Sequence, residues 1–203
     1  MAIVFDLDET LISTSHRQYR VLCDVFPNLN FSNYNDYEIE RFKKSLSNYK
    51  WVSNYIHELS RENYIGRYTP IIENPEYLKF DTLKVDLNLF KNLVYQQKKK
   101  LILVSLRNNE KNGLDQLKNL KLFPYFSEIH FLKHTELANP KIDLIRKLKS
   151  KYNIEGYIGD SSIDCEAADI NNVPFFPAHS TIHNTFEEKS KDVNHWINKI
   201  IDE

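Results

Sequence analysis

Cysteine is nearly absent: Cys23 and Cys165 are the only two in the 203-residue chain. Two such residues support neither a disulfide framework nor a zinc cluster, and the simplest expectation is a reducing, cytoplasmic setting. Long apolar runs are missing too. Ala2-Ile-Val-Phe5 is too short for a signal peptide and meets Asp6 at once. No stretch approaches the ~20 apolar residues that a membrane helix needs. Charge of one sign is lacking as well, with 27 Lys and Arg against 28 Asp and Glu. Such a balance removes any general electrostatic argument for a nucleic-acid polymer or an anionic membrane as partner, although it leaves room for a local basic pocket. The remaining composition, 41% hydrophobic and 27% charged, is that of an ordinary globular chain. Its length suits one large domain, or a domain with an insertion, able to bury a core without staples.

Short apolar segments recur along this chain. Ala2-Ile-Val-Phe-Asp6 is rich in strand formers and ends on an acid; Leu101-Ile-Leu-Val-Ser105 and Gly156-Tyr-Ile-Gly-Asp160 repeat the design. Glu128 to Leu132 and Val173 to Phe176 are further strand candidates. Continuous runs of this kind suit strands buried on both faces of a parallel sheet. Between them lie helical patterns: Leu114, Leu117 and Leu120 share one face, as do Ile142, Ile145 and Leu148. Val193, Trp196, Ile197, Ile200 and Ile201 form the clearest amphipathic stripe, at the C-terminal end. Alternation of strand and helix from Leu101 onward predicts an open α/β sheet.

A long segment separates the first strand from that regular part. Helices are predicted near Ser15 to Phe26, Asn35 to Asn48, Lys50 to Asn63 and Asp86 to Gln97. Of the 12 tyrosines, Tyr19, Tyr34, Tyr37, Tyr49, Tyr55, Tyr64, Tyr68 and Tyr77 fall here. No strand pattern or repeat interrupts it, so it reads as a helical insertion placed after the first strand. Arg61 and Arg67 flank what reads as a Tyr-rich turn at Gly66. Trp51, Tyr55 and Leu59 sit at helical spacing and are expected in the insertion's own core.

Three strand ends deliver polar groups: Asp6 with Asp8 and Thr10, then Ser105, then Asp160 with Asp164. Ligands of open α/β sheets bind beyond the carboxyl ends of the strands, so these groups point at one crevice. Asp6 and Asp8 alternate onto the same side of an extended segment. Two neighbouring carboxylates resist joint ionisation, so one pKa is expected to rise while the other group stays anionic, giving a proton donor and a nucleophile from adjacent positions. Asp6 with Asp160 makes a hard, all-oxygen site suited to Mg²⁺.

Together, Asp6-Leu-Asp-Glu-Thr10, Ser105 after an apolar strand, a lysine opening a later helix and Gly159-Asp160 with Asp164 resemble the four motifs of the haloacid dehalogenase-like superfamily of phosphohydrolases. The resemblance spans Ile3 to Phe176. It implies a Rossmann-like core of residues 1–14 and 84–203 with helices on both sheet faces, and a helical cap at 15–83. It also implies a Mg²⁺-dependent phosphatase acting on a small phosphorylated metabolite, with an aspartyl-phosphate intermediate. In this reading Asp6 attacks phosphorus, while Asp8, held protonated, gives the leaving group its proton and then activates water. Mg²⁺ is held by Asp6, the Asp8 carbonyl and Asp160, with Asp164 near that shell. Thr10 lies beside the phosphate, and Ser105 and the backbone at Leu106 hold its oxygens.

The second aspartate separates phosphate chemistry from halide displacement, because halide leaves without a proton. Thr10, where related sugar phosphomutases commonly carry glycine, favours hydrolysis over a phosphotransferase or phosphomutase. A catalytically silent phospho-binding relative is disfavoured because no motif acid is lost. The lysine fits less well. Lys141 follows Pro140, which suits the first turn of a helix, and is preferred over Lys133 at the end of a core strand. Arg107, two residues after Ser105, is a candidate for the phosphate or a substrate carboxylate. Of His16, Arg17 and Arg20, which open the first insertion helix, Arg20 is taken as the substrate-side arginine. His179 and His183 are expected at the surface.

Overall fold

The computed structural model describes residues 1–27, 33–133 and 138–202. Strand β1 (Ala2–Phe5) is the middle of a five-stranded sheet. Its neighbours are β4 (Lys100–Leu106) and β6 (Ile154–Gly159); β5 (Phe126–Leu132) and β7 (Phe175–Pro177) complete the order β5-β4-β1-β6-β7. Every pairing is parallel, with Phe5 opposite both Leu103 and Ile158. The register therefore brings the carboxyl ends of β1, β4 and β6 level with one another.

The apolar runs are continuous because both faces are covered. Ala2, Ile3, Val4 and Phe5 are fully buried, but on two sides. Ala2 and Val4 pack with Ile145 and Leu148 of α8 (Pro140–Lys151) and Ala167 and Ala168 of α9 (Ser162–Ile170). Ile3 and Phe5 pack with Phe90 of α6 (Leu87–Lys91), Leu117 of α7 (Glu110–Asn119), and Val193 and Ile197 of α10 (Val193–Asp202). Each large side chain buried this way contributes roughly 1.5–3 kcal/mol. The fold is the expected α/β, Rossmann-like one.

After β1 the chain makes a tight turn in which Glu9 has φ 61°. A non-glycine residue holds that conformation only with support. Glu9 has it: its buried carboxylate accepts from Thr14 N–H (2.6 Å), Thr14 Oγ1 (2.7 Å), Thr181 N–H (2.9 Å) and Thr181 Oγ1 (2.7 Å). A two-stranded antiparallel ribbon, β2 (Ile12–Ser13) with β3 (Thr82–Leu83), then brackets the helices α1 (Ser15–Val25), α2 (Tyr34–Lys44), α3 (Asn48–Ser53), α4 (Arg61–Ile72) and α5 (Pro75–Leu78). These helices share an apolar cluster of their own, including Leu22, Tyr37, Trp51 and Tyr64.

One predicted helix is two. The stretch Lys50 to Asn63 breaks after Ser53, and α4 starts afresh at Arg61. Ser60 causes the restart, since its hydroxyl accepts from Asn63 N–H (3.1 Å) and satisfies an otherwise unpaired donor. Gly66 consequently lies inside α4 rather than in a turn. Arg61 and Arg67 are helix residues too, so the expected turn is absent at this position. None of the helices among the described residues is long and apolar enough to cross a membrane.

Candidate active site

Asp6, Ser105 and Asp160 emerge side by side from β1, β4 and β6, and all three are buried. Asn139 caps α8 by accepting from Lys141 N–H (3.0 Å), with Pro140 in the first turn. That cap fixes the direction of the buried Lys141 side chain. Its Nζ lies 2.6 Å from Asp6 Oδ1 and 2.6 Å from Asp164 Oδ1. Lys133, the competing lysine, is exposed at the end of β5, and β4 separates that strand from β1. The lysine of the site is Lys141.

Asp164 is fully buried at the start of α9 and accepts from Tyr157 OH (2.6 Å), Ser161 Oγ (2.5 Å) and Ser161 N–H (3.2 Å), the last as part of a capping box. Gly159 makes room for it: a Cβ there would lie 2.6 Å from Asp164 Cβ. Gly159→Ala is therefore expected to lower stability by roughly 1–3 kcal/mol through overpacking and to slow turnover by moving Asp164 off Lys141. Thermal denaturation and initial rates check this; a wild-type melting point would contradict it.

One carboxylate oxygen from each of Asp6, Asp160 and Asp164 lies within 4.8 Å of the others. Thr10 Oγ1 donates to Asp160 Oδ1 (3.1 Å) and reaches Asp6 Oδ2 at 3.5 Å. Its hydroxyl thus serves the acids rather than the phosphate side expected for it. His183 Nε2 sits 2.8 Å from Asp160 Oδ2, so this histidine belongs to the site and not to the outer surface.

Asp8 corrects the sequence expectation most sharply. Arg107 grips it with two bonds, Nε to Oδ2 (2.9 Å) and Nη2 to Oδ1 (2.6 Å). Arg17 adds a third, Nη2 to Oδ1 (2.8 Å). Burial acts to raise the Asp8 pKa, but the Arg107 and Arg17 guanidiniums outweigh it and hold the group below its ordinary value. Asp6 moves the other way: burial pushes it well above the usual range, Lys141 opposes this, and Asp164 and Asp160 add to it. Asp8 is thus held ionised in this structure, against the expectation that it is the protonated one. Arg20, expected near substrate, is exposed and lies over the Phe80 ring at 5.6 Å. Arg17, on the same helix, is the buried arginine that reaches the site.

Residues 3–178 match the haloacid dehalogenase-like hydrolase family. The chain belongs to this family. No curated protein matches the sequence. Among solved structures, a predicted phosphoglycolate phosphatase from Haemophilus somnus is similar at TM-score 0.70 and 19% identity, covering 98% of this chain and 97% of its own. A haloacid dehalogenase-superfamily hydrolase of subfamily IA from Geobacter sulfurreducens gives 0.69 at 15% identity, with 98% and 95% covered. A predicted phosphatase from Clostridium acetobutylicum gives 0.69 at 16% identity, with 100% and 98% covered. At these identities the likeness establishes the fold.

This haloacid dehalogenase-like hydrolase carries a further buried acid near the site. Asp81 lies just before β3, with Arg17 Nε 3.2 Å from its Oδ1 and Gln116 Nε2 donating to its Oδ2 at 2.6 Å. Burial raises its pKa to about 7, against the partly offsetting Arg17 charge. A folded pKa above the unfolded one means stability that is full below the unfolded value of 3.8 and lost as pH rises through about 7. Asp81→Asn removes that loss. Its melting point is expected to gain on wild type as pH rises between those values, by an amount equivalent to a few kcal/mol at most. Paired melts at several pH values check it; a pH-independent difference would contradict the assignment.

Proposed function

We propose that the protein is a phosphomonoester hydrolase that carries the phosphoryl group on Asp6 and acts on small phosphorylated metabolites. The observation that supports this most is the placement of Asp6 on the central strand end, with Lys141 bridging it to Asp164 and Asp160 beside it. A buried carboxylate with a lysine 2.6 Å away has an oxygen free to attack and a cation beside the charge that develops on phosphorus.

In the proposed sequence, Asp6 Oδ2 attacks phosphorus, the phosphorus–oxygen bond to the leaving alcohol breaks, and water then hydrolyses the resulting acyl phosphate. Lys141 neutralises a phosphoryl oxygen, and Ser105 Oγ with the Leu106 backbone orients the others. Asp8, ionised between Arg107 and Arg17, is in the state needed to accept a proton from that water. Protonating the alcohol in the first step requires Asp8 to leave those arginines and take up a proton. Most of the acceleration arises from positioning and fixed charge, as in phosphoryl transfer generally.

Asp6, Asp160 and Asp164 offer a cluster of buried carboxylate oxygens, which fits a hard divalent ion of the Mg²⁺ kind. Asp6, Asp160 and the Asp8 backbone carbonyl are proposed to hold it, with Asp164 behind them on Lys141. Bound there, Mg²⁺ supplies charge neutralisation for the phosphoryl oxygens. Residues 15–83 are proposed to act as a cap that selects the leaving group, since Arg17 is delivered to Asp8 from that segment.

Phosphate release from a panel of small phosphomonoesters, with and without Mg²⁺, tests the reading. Release that depends on Mg²⁺ and stops with a chelator is expected. A purified, folded protein that releases no phosphate from any of them, or turns over equally well without metal, would contradict it.

A further inference from the structure

The cleft continues beyond Asp8. Past Asp8 and the two arginines it forms a half-open space of about 570 Å³, lined also by Leu106, Ile163, Tyr68 and Ile72. Leu106, Tyr68 and Ile72 are also walls of a wider chamber of about 960 Å³, completed by Tyr49 and Tyr64. Pockets of this size bury ligands much larger than a two- or three-carbon alcohol. A small aliphatic leaving group would leave most of this space unfilled.

Tyr64, in that wall, stacks both with Phe26 behind the cavity lining and with Tyr68. Phe26 and Tyr64 have centroids 6.2 Å apart and planes 7° from parallel; Tyr64 and Tyr68 are 5.0 Å apart at 19°. The Arg67 guanidinium covers the Phe26 end at 4.4 Å. Tyr68 is the ring at the other end and borders both spaces. Its hydroxyl accepts from Asn48 Nδ2 (2.9 Å), which fixes the ring plane. Gln18 and Asn48 also line this space, their amides bonded to one another, with Asn48 bonded to Tyr68 and Gln18 to Thr14, so that they hold the wall in place.

We infer that the leaving alcohol of the substrate carries a flat aromatic ring of about nucleoside size, which extends the Phe26–Tyr64–Tyr68 column and makes Tyr68 a specificity-determining residue. The inference rests on the phosphomonoesterase reading for where the phosphate sits. Stacking an additional ring on such a platform is sequence-tolerant and strengthens binding by roughly five- to a hundredfold.

Binding of AMP, UMP and glycerol 3-phosphate to the Asp6→Asn protein, measured by calorimetry, tests it. Both nucleotides are expected to bind at least about tenfold tighter than glycerol 3-phosphate. Tyr68→Phe should keep that ratio and Tyr68→Leu should collapse it, through KM more than kcat when introduced into the active enzyme. If a Tyr68 variant fails to fold, the ligand comparison in the parent protein decides alone. Equal binding of all three ligands, or a ratio that survives Tyr68→Leu, would overturn the inference. Wild-type turnover separates the two readings. Equal phosphate release from AMP and glycerol 3-phosphate sinks the ring preference alone. Selective AMP binding with no phosphate release from anything sinks the hydrolase reading alone.

Discussion

Asp6→Asn is expected to reduce turnover by at least about 10⁴-fold, as loss of a nucleophile does in other covalent mechanisms, while the protein stays folded. The amide has the shape of the carboxylate but no nucleophilic oxygen lone pair of comparable basicity. Folding should not suffer. The Asp6 pKa is raised well above its ordinary value, chiefly by burial, so near neutrality its charge opposes folding and the neutral amide relieves this. Lys141 retains Asp164 as a partner at 2.6 Å. Initial rates beside a thermal melt separate the outcomes. A melting point at or above wild type with turnover gone supports the nucleophile. Turnover near the wild-type rate removes Asp6 from that role.

Lys141→Ala is expected to damage both turnover and stability. The ammonium is buried and answers two carboxylates, and Asp164 and Asp6 together raise its pKa well above the ordinary value against the opposing effect of burial. Breaking a buried pair by removing one partner costs about 3–5 kcal/mol, roughly 6–20 °C in melting temperature for a chain of this size. Loss of the charge beside phosphorus should cost a further 10²–10³-fold in kcat, the scale of a removed oxyanion donor. The stability deficit should shrink as pH is lowered, because protonation of Asp6 and Asp164 removes the uncompensated charge. Lys133→Ala is the control, expected near wild type in both measurements because that side chain is exposed beyond the neighbouring strand. A normal Lys141→Ala enzyme with a crippled Lys133→Ala one would reverse the assignment.

What could be read from the sequence follows from how local the determining physics is. Strands buried on both faces must be apolar at every position, so β1, β4 and β6 announced themselves, and the polar residues that end them marked the crevice. Pro140 and Asn139 likewise encode the start of α8 locally, which is why Lys141 could be preferred. The failures share another origin. The family resemblance puts the proton on Asp8, and the sequence shows only Asp6 beside it. Its ionisation is set by Arg17 and Arg107, which the fold brings from the insertion and from the loop after β4. Arg17 and Arg20 carry the same charge on the same helix, and only what the fold sets against each, Asp8 and Asp81 for Arg17 and the Phe80 ring for Arg20, distinguishes them. His183 sits in a polar loop with no periodicity, and nothing in that loop's composition signals its contact with Asp160. The break between α3 and α4 was legible in principle, since Ser60 and Asn63 form a cap signature that the tyrosine-rich pattern obscured.

The claim on which the account turns is that one oxygen of Asp6 becomes covalently bonded to phosphorus. Quenching the working enzyme in acid during turnover, digesting it and locating any phosphoryl group by mass spectrometry addresses this directly. The account predicts the phosphoryl group on the N-terminal peptide at Asp6, absent from the Asp6→Asn protein. A phosphoryl group on Ser105 or any other residue, or none trapped at any time while phosphate is being released, would contradict it.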